Sequence, residues 1–187
     1  LSITQASESG LVYTPTEISA LSAVAKDNGL SVHMDGARFS NAVASQQCTP
    51  AELSWKAGVD VLCLGATKCG ALCAEVVIFF NKELAATFTH RRKRGGHLLS
   101  KGRVFGAQMV GWLQDDHWLD LAQYANTQAT QLAKQIATFD RLQLVWPVES
   151  NELFVIMPKG LAVHLQDAGA EFYDWYVTTL PPNILID

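Results

Sequence analysis

Charge is sparse in this chain of 187 residues: Asp, Glu, Lys and Arg supply 17% of it, with 14 basic against 18 acidic residues and a formal net charge of -4. That balance excludes a strongly charged or disordered chain and argues against nucleic-acid binding as the main activity. No apolar run reaches the ~18–20 residues needed to span a bilayer, so no membrane association is expected. The opening LSITQASESG has no basic stretch leading into an apolar one, and no signal peptide is visible. Cysteine is limited to Cys48, Cys63, Cys69 and Cys73. No second pair with partnering histidines follows Cys69 and Cys73 at zinc-site spacing, so no metal is expected, and reduced thiols in the cytoplasm are the better reading. Internal repeats and low-complexity segments are missing too. The chain opens on a strand-like run rather than on Met, as a piece of something longer would.

What is present is a core-forming composition, 49% hydrophobic, laid out as alternating strand and helix signals. Thr14-Pro15-Thr16-Glu17 is a capping box with Pro at the first helical position. Ile18, Leu21, Val24 and Ala25 supply a helical apolar face, and Gly29 a stop. Leu30 to Met34 reads as a buried strand ending at Asp35. A second box, Thr49-Pro50-Ala51-Glu52, predicts a short helix ending near Gly58. Val59 to Leu64 and Glu75 to Phe80 read as the next strands. Such units favour an α/β fold with a mostly parallel sheet. Helix is expected over Lys82 to Arg94 and again from Arg103 to about Phe139. There Trp118, Ala122, Ala125, Ala129, Leu132, Ile136 and Phe139 mark one face, for core or subunit packing. Strands at Leu142 to Trp146 and Glu152 to Met157 and a helix from Gly160 to Ala168 suggest two units: residues 1–139 as part of a large domain, and 140–187 as part of a smaller α+β domain.

The chemistry concentrates in two strand ends. His33-Met34-Asp35-Gly36-Ala37-Arg38 delivers an acid to a carboxyl end, where open α/β sheets place their ligands, and Gly36 allows close backbone approach. Taken alone, the same residues also suit a turn with a local ion pair. Gly65-Ala66-Thr67-Lys68-Cys69-Gly70-Ala71 ends the second strand with a lysine among small residues. A crowded, partly desolvated lysine suits Schiff-base chemistry, and a solvated loop lysine is the plainer reading of Lys68 taken alone. An acid closing one strand and a lysine closing a following strand together form the constellation of a pyridoxal-phosphate site, with the acid holding the pyridine nitrogen protonated.

HMDGARFSNAVA, GATKCGALCAEVVIFF and RRKRGGHLLSK together resemble the low-specificity L-threonine aldolases, fold-type I pyridoxal-phosphate enzymes that neighbour the β-eliminating lyases. The likeness runs from about Ser2 to Trp175 and includes WPVESNELFVIMP. The resemblance implies that Lys68 is the Schiff-base lysine, that Asp35 partners the pyridine nitrogen and that Arg38 lies beside the phenolic oxygen. It also implies a site shared in a homodimer or homotetramer, with Lys93 and Lys101 as candidates to reach the neighbour's cofactor phosphate. A solvated helix C-terminus is the other reading of that basic run. The Gln5–Glu8 turn either borders the same pocket or is an ordinary strand exit. The expected activity is cleavage of L-threonine and related β-hydroxy-α-amino acids to glycine and an aldehyde. A β-eliminating lyase or a phenylserine-type aldolase would use the same Lys68 and Asp35. A truncated, inactive aldolase-like protein or subunit-interaction module also stays open. The tail from Tyr176 to Asp187 does not continue the family pattern.

Overall fold

The computed structural model describes residues 1–175, so the tail singled out above lies outside the described residues. The element order is β1 (Ser2–Thr4), α1 (Pro15–Asp27), β2 (His33–Gly36), α2 (Phe39–Gln46), β3 (Val61–Gly65), β4 (Glu75–Phe79), α3 (Phe88–Arg94), α4 (Gly102–Leu113), α5 (His117–Ile136), β5 (Gln143–Leu144), β6 (Val155–Ile156) and α6 (Lys159–Asp167). β1 to β4 form one sheet in that spatial order. The first three strands are parallel, with Met34 opposite Ile3 and Leu62. β4 runs antiparallel to β3. Residues 66–74 are too few for a crossover, which takes a dozen or more, so β4 can only return as a hairpin.

α1 forms where its box predicts. The Thr14 hydroxyl accepts from Glu17 N at 3.2 Å, and Thr14 N donates to the Glu17 carboxylate at 2.8 Å. Gly29, at φ +68°, closes the helix as Leu30 N reaches Ala25 O and Gly29 N reaches Lys26 O. Ile18 and Ala25 are buried in the core, while Val24 and Leu30 are exposed. The strand expected from Leu30 starts instead at His33 and runs to Gly36, because pairing with β1 and β3 carries Asp35 and Gly36 into the ladder.

Several other boundaries differ from the sequence expectations. The second box closes, with Thr49 N donating to Glu52 at 2.8 Å, yet no α-helix follows; turns lead into a 3-10 turn at Trp55–Ala57. Gly58, at φ +100°, stops the chain before a second turn can propagate. The helix expected over Lys82 to Arg94 divides into a 3-10 turn and α3. The long helical stretch breaks between α4 and α5 at Asp115 and Asp116, both at positive φ. The packed face of α5 is Trp118, Ala122, Asn126, Ala129 and Ala133; Leu132 is exposed, and Phe139 lies exposed past the end of the helix. Asn126 is buried because it clasps Asn41 on α2: Asn41 Nδ2 donates to its Oδ1 at 3.0 Å and its Nδ2 donates to Asn41 O at 2.9 Å.

The segment after α5 carries the short antiparallel pair β5–β6 and then α6. It is sewn to the loop after β1. Trp146 Nε1 donates to Ser9 O at 2.6 Å, the Ser150 hydroxyl to Gly10 O at 2.9 Å, and Val12 N to the Glu149 carboxylate at 2.8 Å.

Candidate active site

Because β1, β2 and β3 are parallel and β4 is not, the carboxyl ends of three strands and the amino end of the fourth share one edge. Four segments converge there: the Gln5–Glu8 turn, the Ala37-Arg38 turn, the Ala66–Cys69 turn and Glu75.

At the end of β2, the Asp35 carboxylate accepts Ala37 N at 3.0 Å and remains exposed. This is the local turn that the sequence allowed, but the ion pair is not within it. Arg38 Nη2 meets Glu152 Oε1 at 2.6 Å, with the two side chains only 21% and 19% exposed. Gly36 is required by close approach: a Cβ there would lie 2.7 Å from Cys63 O and 2.8 Å from Leu62 Cδ1. Gly65 is similarly confined, between Glu75 Oε2 at 2.9 Å and Ala37 Cα at 3.0 Å.

At the end of β3, the chain makes a 3-10 turn over Thr67–Cys69 and leaves through Gly70 at φ +98°. Trp112 on α4 fixes this turn, donating from Nε1 to Cys69 O at 2.7 Å, and its ring packs 5.3 Å from that of Trp118. Lys68 stands on the turn with its side chain exposed. The expectation of a crowded, desolvated lysine is therefore not met by the described residues; the small neighbours Ala66 and Cys69 bury themselves beneath the turn instead. The Thr67 hydroxyl donates to Glu75 Oε1 at 3.2 Å, tying the turn to β4.

The electrostatics link these groups. Burial pushes the Glu75 carboxyl upward, the Thr67 hydrogen bond pulls it down, Asp35 adds repulsion and Lys68 adds attraction. Glu152 is also raised, first by burial, against the attraction of Arg38 and Lys68, with Glu8 opposing. The Cys63 thiol, beside Asp35 in the ladder, is raised by burial and by the Asp35 and Glu75 carboxylates. Cys63 Sγ lies 3.3 Å from His33 Nε2, and Ser2 Oγ holds the other ring nitrogen at 2.9 Å. The Gln5 side chain is wholly buried, bridging both backbone groups of Tyr13, so Gln5 builds the strand exit while Glu8 contributes charge.

Asp35, Arg38 and Lys68 are thus brought to one edge. Lys93, in the last turn of α3, and Lys101, at the start of α4, are exposed. Neither has a hydrogen bond or ion pair to those three among the described residues. Glu152 and Glu75 were not evident in the sequence as site residues. Glu75 opens a recognisable strand two residues after Cys73, but the sequence alone does not say that this strand runs antiparallel and brings Glu75 to the carboxyl edge. The donor set fits a pyridoxal-type group: a primary amine, a carboxylate at a strand end, and a guanidinium whose buried Nε has no partner. A shallow cleft of about 430 Å³, lined by Lys26, Trp55, Asp60 and Phe80, lies at the opposite edge and holds none of these groups.

Comparisons with known proteins agree on kinship. The family model described as beta-eliminating lyase matches residues 1–159. The chain is 49% identical over 173 residues to a low specificity L-threonine aldolase of Pseudomonas aeruginosa, covering 92% of this chain and 50% of that protein. It is 48% identical to one from a Pseudomonas species over the same extent. Among solved structures, a threonine aldolase of Leishmania major superposes with a TM-score of 0.83 at 30% identity, over 89% of this chain and 48% of that one. The chain therefore spans about half the length of the relatives it matches.

Proposed function

The chain belongs to the beta-eliminating lyase family, and from that premise we propose that it carries the lysine and acid of a pyridoxal-phosphate enzyme that cleaves L-threonine and related β-hydroxy-α-amino acids. The products are glycine and an aldehyde. The observation that carries this reading is the delivery of Asp35, Arg38 and Lys68 to one sheet edge by β2 and β3. Similarity to threonine aldolases over most of the chain supports the same substrate class.

Pyridoxal phosphate bound there supplies an electron sink for the bond broken at the amino-acid α-carbon. Lys68 supplies the primary amine that holds the cofactor, and the exposure of its side chain leaves that amine accessible. Asp35, fixed by Ala37 N, presents a carboxylate to keep a proton on the ring nitrogen. Arg38 supplies the cation for the phenolic oxygen. A homodimer or homotetramer in which Lys93 and Lys101 reach the partner's cofactor phosphate belongs to the same reading, as does a boundary near Asp140 between a large and a small domain. A cytoplasmic setting accords with four free thiols.

The test uses the native full-length protein. Added pyridoxal phosphate is reduced with borohydride and the tagged lysine mapped by mass spectrometry. Product analysis with threonine follows. A tag on Lys68 with glycine and acetaldehyde is the expected result. Pyruvate and ammonia would assign an eliminating lyase instead, and a tag elsewhere would overturn the site. Asp35→Ala is expected to lower turnover more than cofactor content; equal losses in both would contradict its role.

A further inference from the structure

Arg38 and Glu152 form the one ion pair among the described residues, and they form it inside the candidate site. The contact is one-pronged. It joins Nη2 to Oε1 and leaves Arg38 Nε and Glu152 Oε2 buried without hydrogen-bond partners. A two-pronged pair would have used both atoms. Such a pair on an open surface would be weak and easily exchanged. Here the partner is held from behind: a Cβ on Gly10 would lie 3.1 Å from Glu152 Cβ and 3.4 Å from Glu152 O. Ser150, two residues before, hydrogen-bonds to the same glycine. Burial acts against the carboxylate more than Arg38 and Lys68 act for it, which raises the Glu152 carboxyl above its ordinary value.

We propose that Glu152 is a positioning residue of the active site, holding the Arg38 guanidinium beyond the end of β2 and setting the charge balance around Lys68. The second half of this statement rests on the reading above, in which Lys68 carries the cofactor. Glu152 does not act alone there. Glu75 at the head of β4 also feels Lys68 and Asp35, and Glu8 opposes Glu152 from the turn after β1. α5 brings the apolar Trp118 and Leu121 against the turn that bears Lys68.

The test compares Glu152→Gln and Glu152→Asp with the parent, in the native full-length protein, by two readouts. The first needs no cofactor: phenylglyoxal modification of Arg38, mapped by mass spectrometry. Glu152→Gln is expected to react about fivefold faster at Arg38 and Glu152→Asp to stay near the parent. Equal rates in all three would overturn the positioning role. The second is the pH midpoint of the visible absorbance of the protein loaded with pyridoxal phosphate. Loss of a nearby negative charge is expected to lower that midpoint by about one pH unit in Glu152→Gln, with recovery in Glu152→Asp. A midpoint that stays put while thermal stability falls would reduce Glu152 to packing and overturn the proposal. If the parent takes up no pyridoxal phosphate at Lys68, the functional reading fails and the Lys68 half of the proposal falls with it; the phenylglyoxal rates still decide the Arg38 half.

Discussion

The two faces of the four-stranded sheet are built from alternate residues of the same strands, yet they do different work. Ile3, Met34, Leu62 and Leu64 lie on one face and are buried in the main core, with Val76 and Ile78 packed against them. His33, Asp35, Cys63, Val77 and Glu75 lie on the other, half-buried or exposed. One face holds the fold through apolar burial. The other carries titratable groups, and three carboxyl and thiol groups there feel one another. A single strand such as β2 therefore stabilises with Met34 on one face and presents Asp35 on the other, and neither place restricts the residue chosen for the other.

This division can be broken most heavily from the core side. Met34→Ala is expected to cost ~2–5 kcal/mol in chemical unfolding, whereas Val77→Ala on the other face should cost about 1 kcal/mol or less. Similar losses would mean that the second face is packed as tightly as the first. Next in size is Gly36→Ala, where the added methyl meets the backbone carbonyl of Cys63 as well as the end of the Leu62 side chain, and the carbonyl cannot move aside; a loss of about 1–3 kcal/mol is expected by the same assay.

A smaller effect concerns pH. The Glu75 carboxyl is raised in the folded chain, so the folded state holds its proton more firmly than the unfolded state does. Its contribution is fully present below the unfolded value of 4.5 and is lost as pH rises through the folded value. Melting temperature across weakly acidic pH should therefore fall less with rising pH in Glu75→Gln than in the parent. An identical slope would place Glu75 in water. The smallest expected effect is on Cys63. Asp35→Asn removes one of the charges that raise its thiol, and alkylation of Cys63 at fixed mildly alkaline pH should accelerate about two- to threefold with little change in stability.

Much of this was readable from residues. The apolar strands around β2 and β3, the acid and lysine at their ends, and a close backbone approach at Gly36 all follow from local pattern. Three features did not. The two boxes, Thr14–Glu17 and Thr49–Glu52, make the same hydrogen bonds, but only the first has Ile18 and Ala25 at helical spacing with room before a glycine. A cap stabilises a helix that packing already favours; it does not create one. On α5, Asn126 sits in the packed face because its amide has a partner on α2, and a hydrophobic count alone places Leu132 there and carries the face on to Phe139, past the helix end. Glu152 had no local signature whatever, since its significance lies in a partner from another part of the chain.

The stitches between the loop after β1 and the segment after α5 have a consequence in time. Their ends are separated by 137 to 140 positions in sequence, and contacts of such long range are slow to form because so much chain must be ordered first. A ribosome releases Asp35, Arg38 and Lys68 well before it releases Glu152, so the β2 and β3 ends emerge with their arginine unpaired. The candidate edge thus gains its Arg38 partner by a late arrival. Until then Arg38 lacks the carboxylate that pairs with it, and the pair forms only once the segment bearing Glu152 has been made.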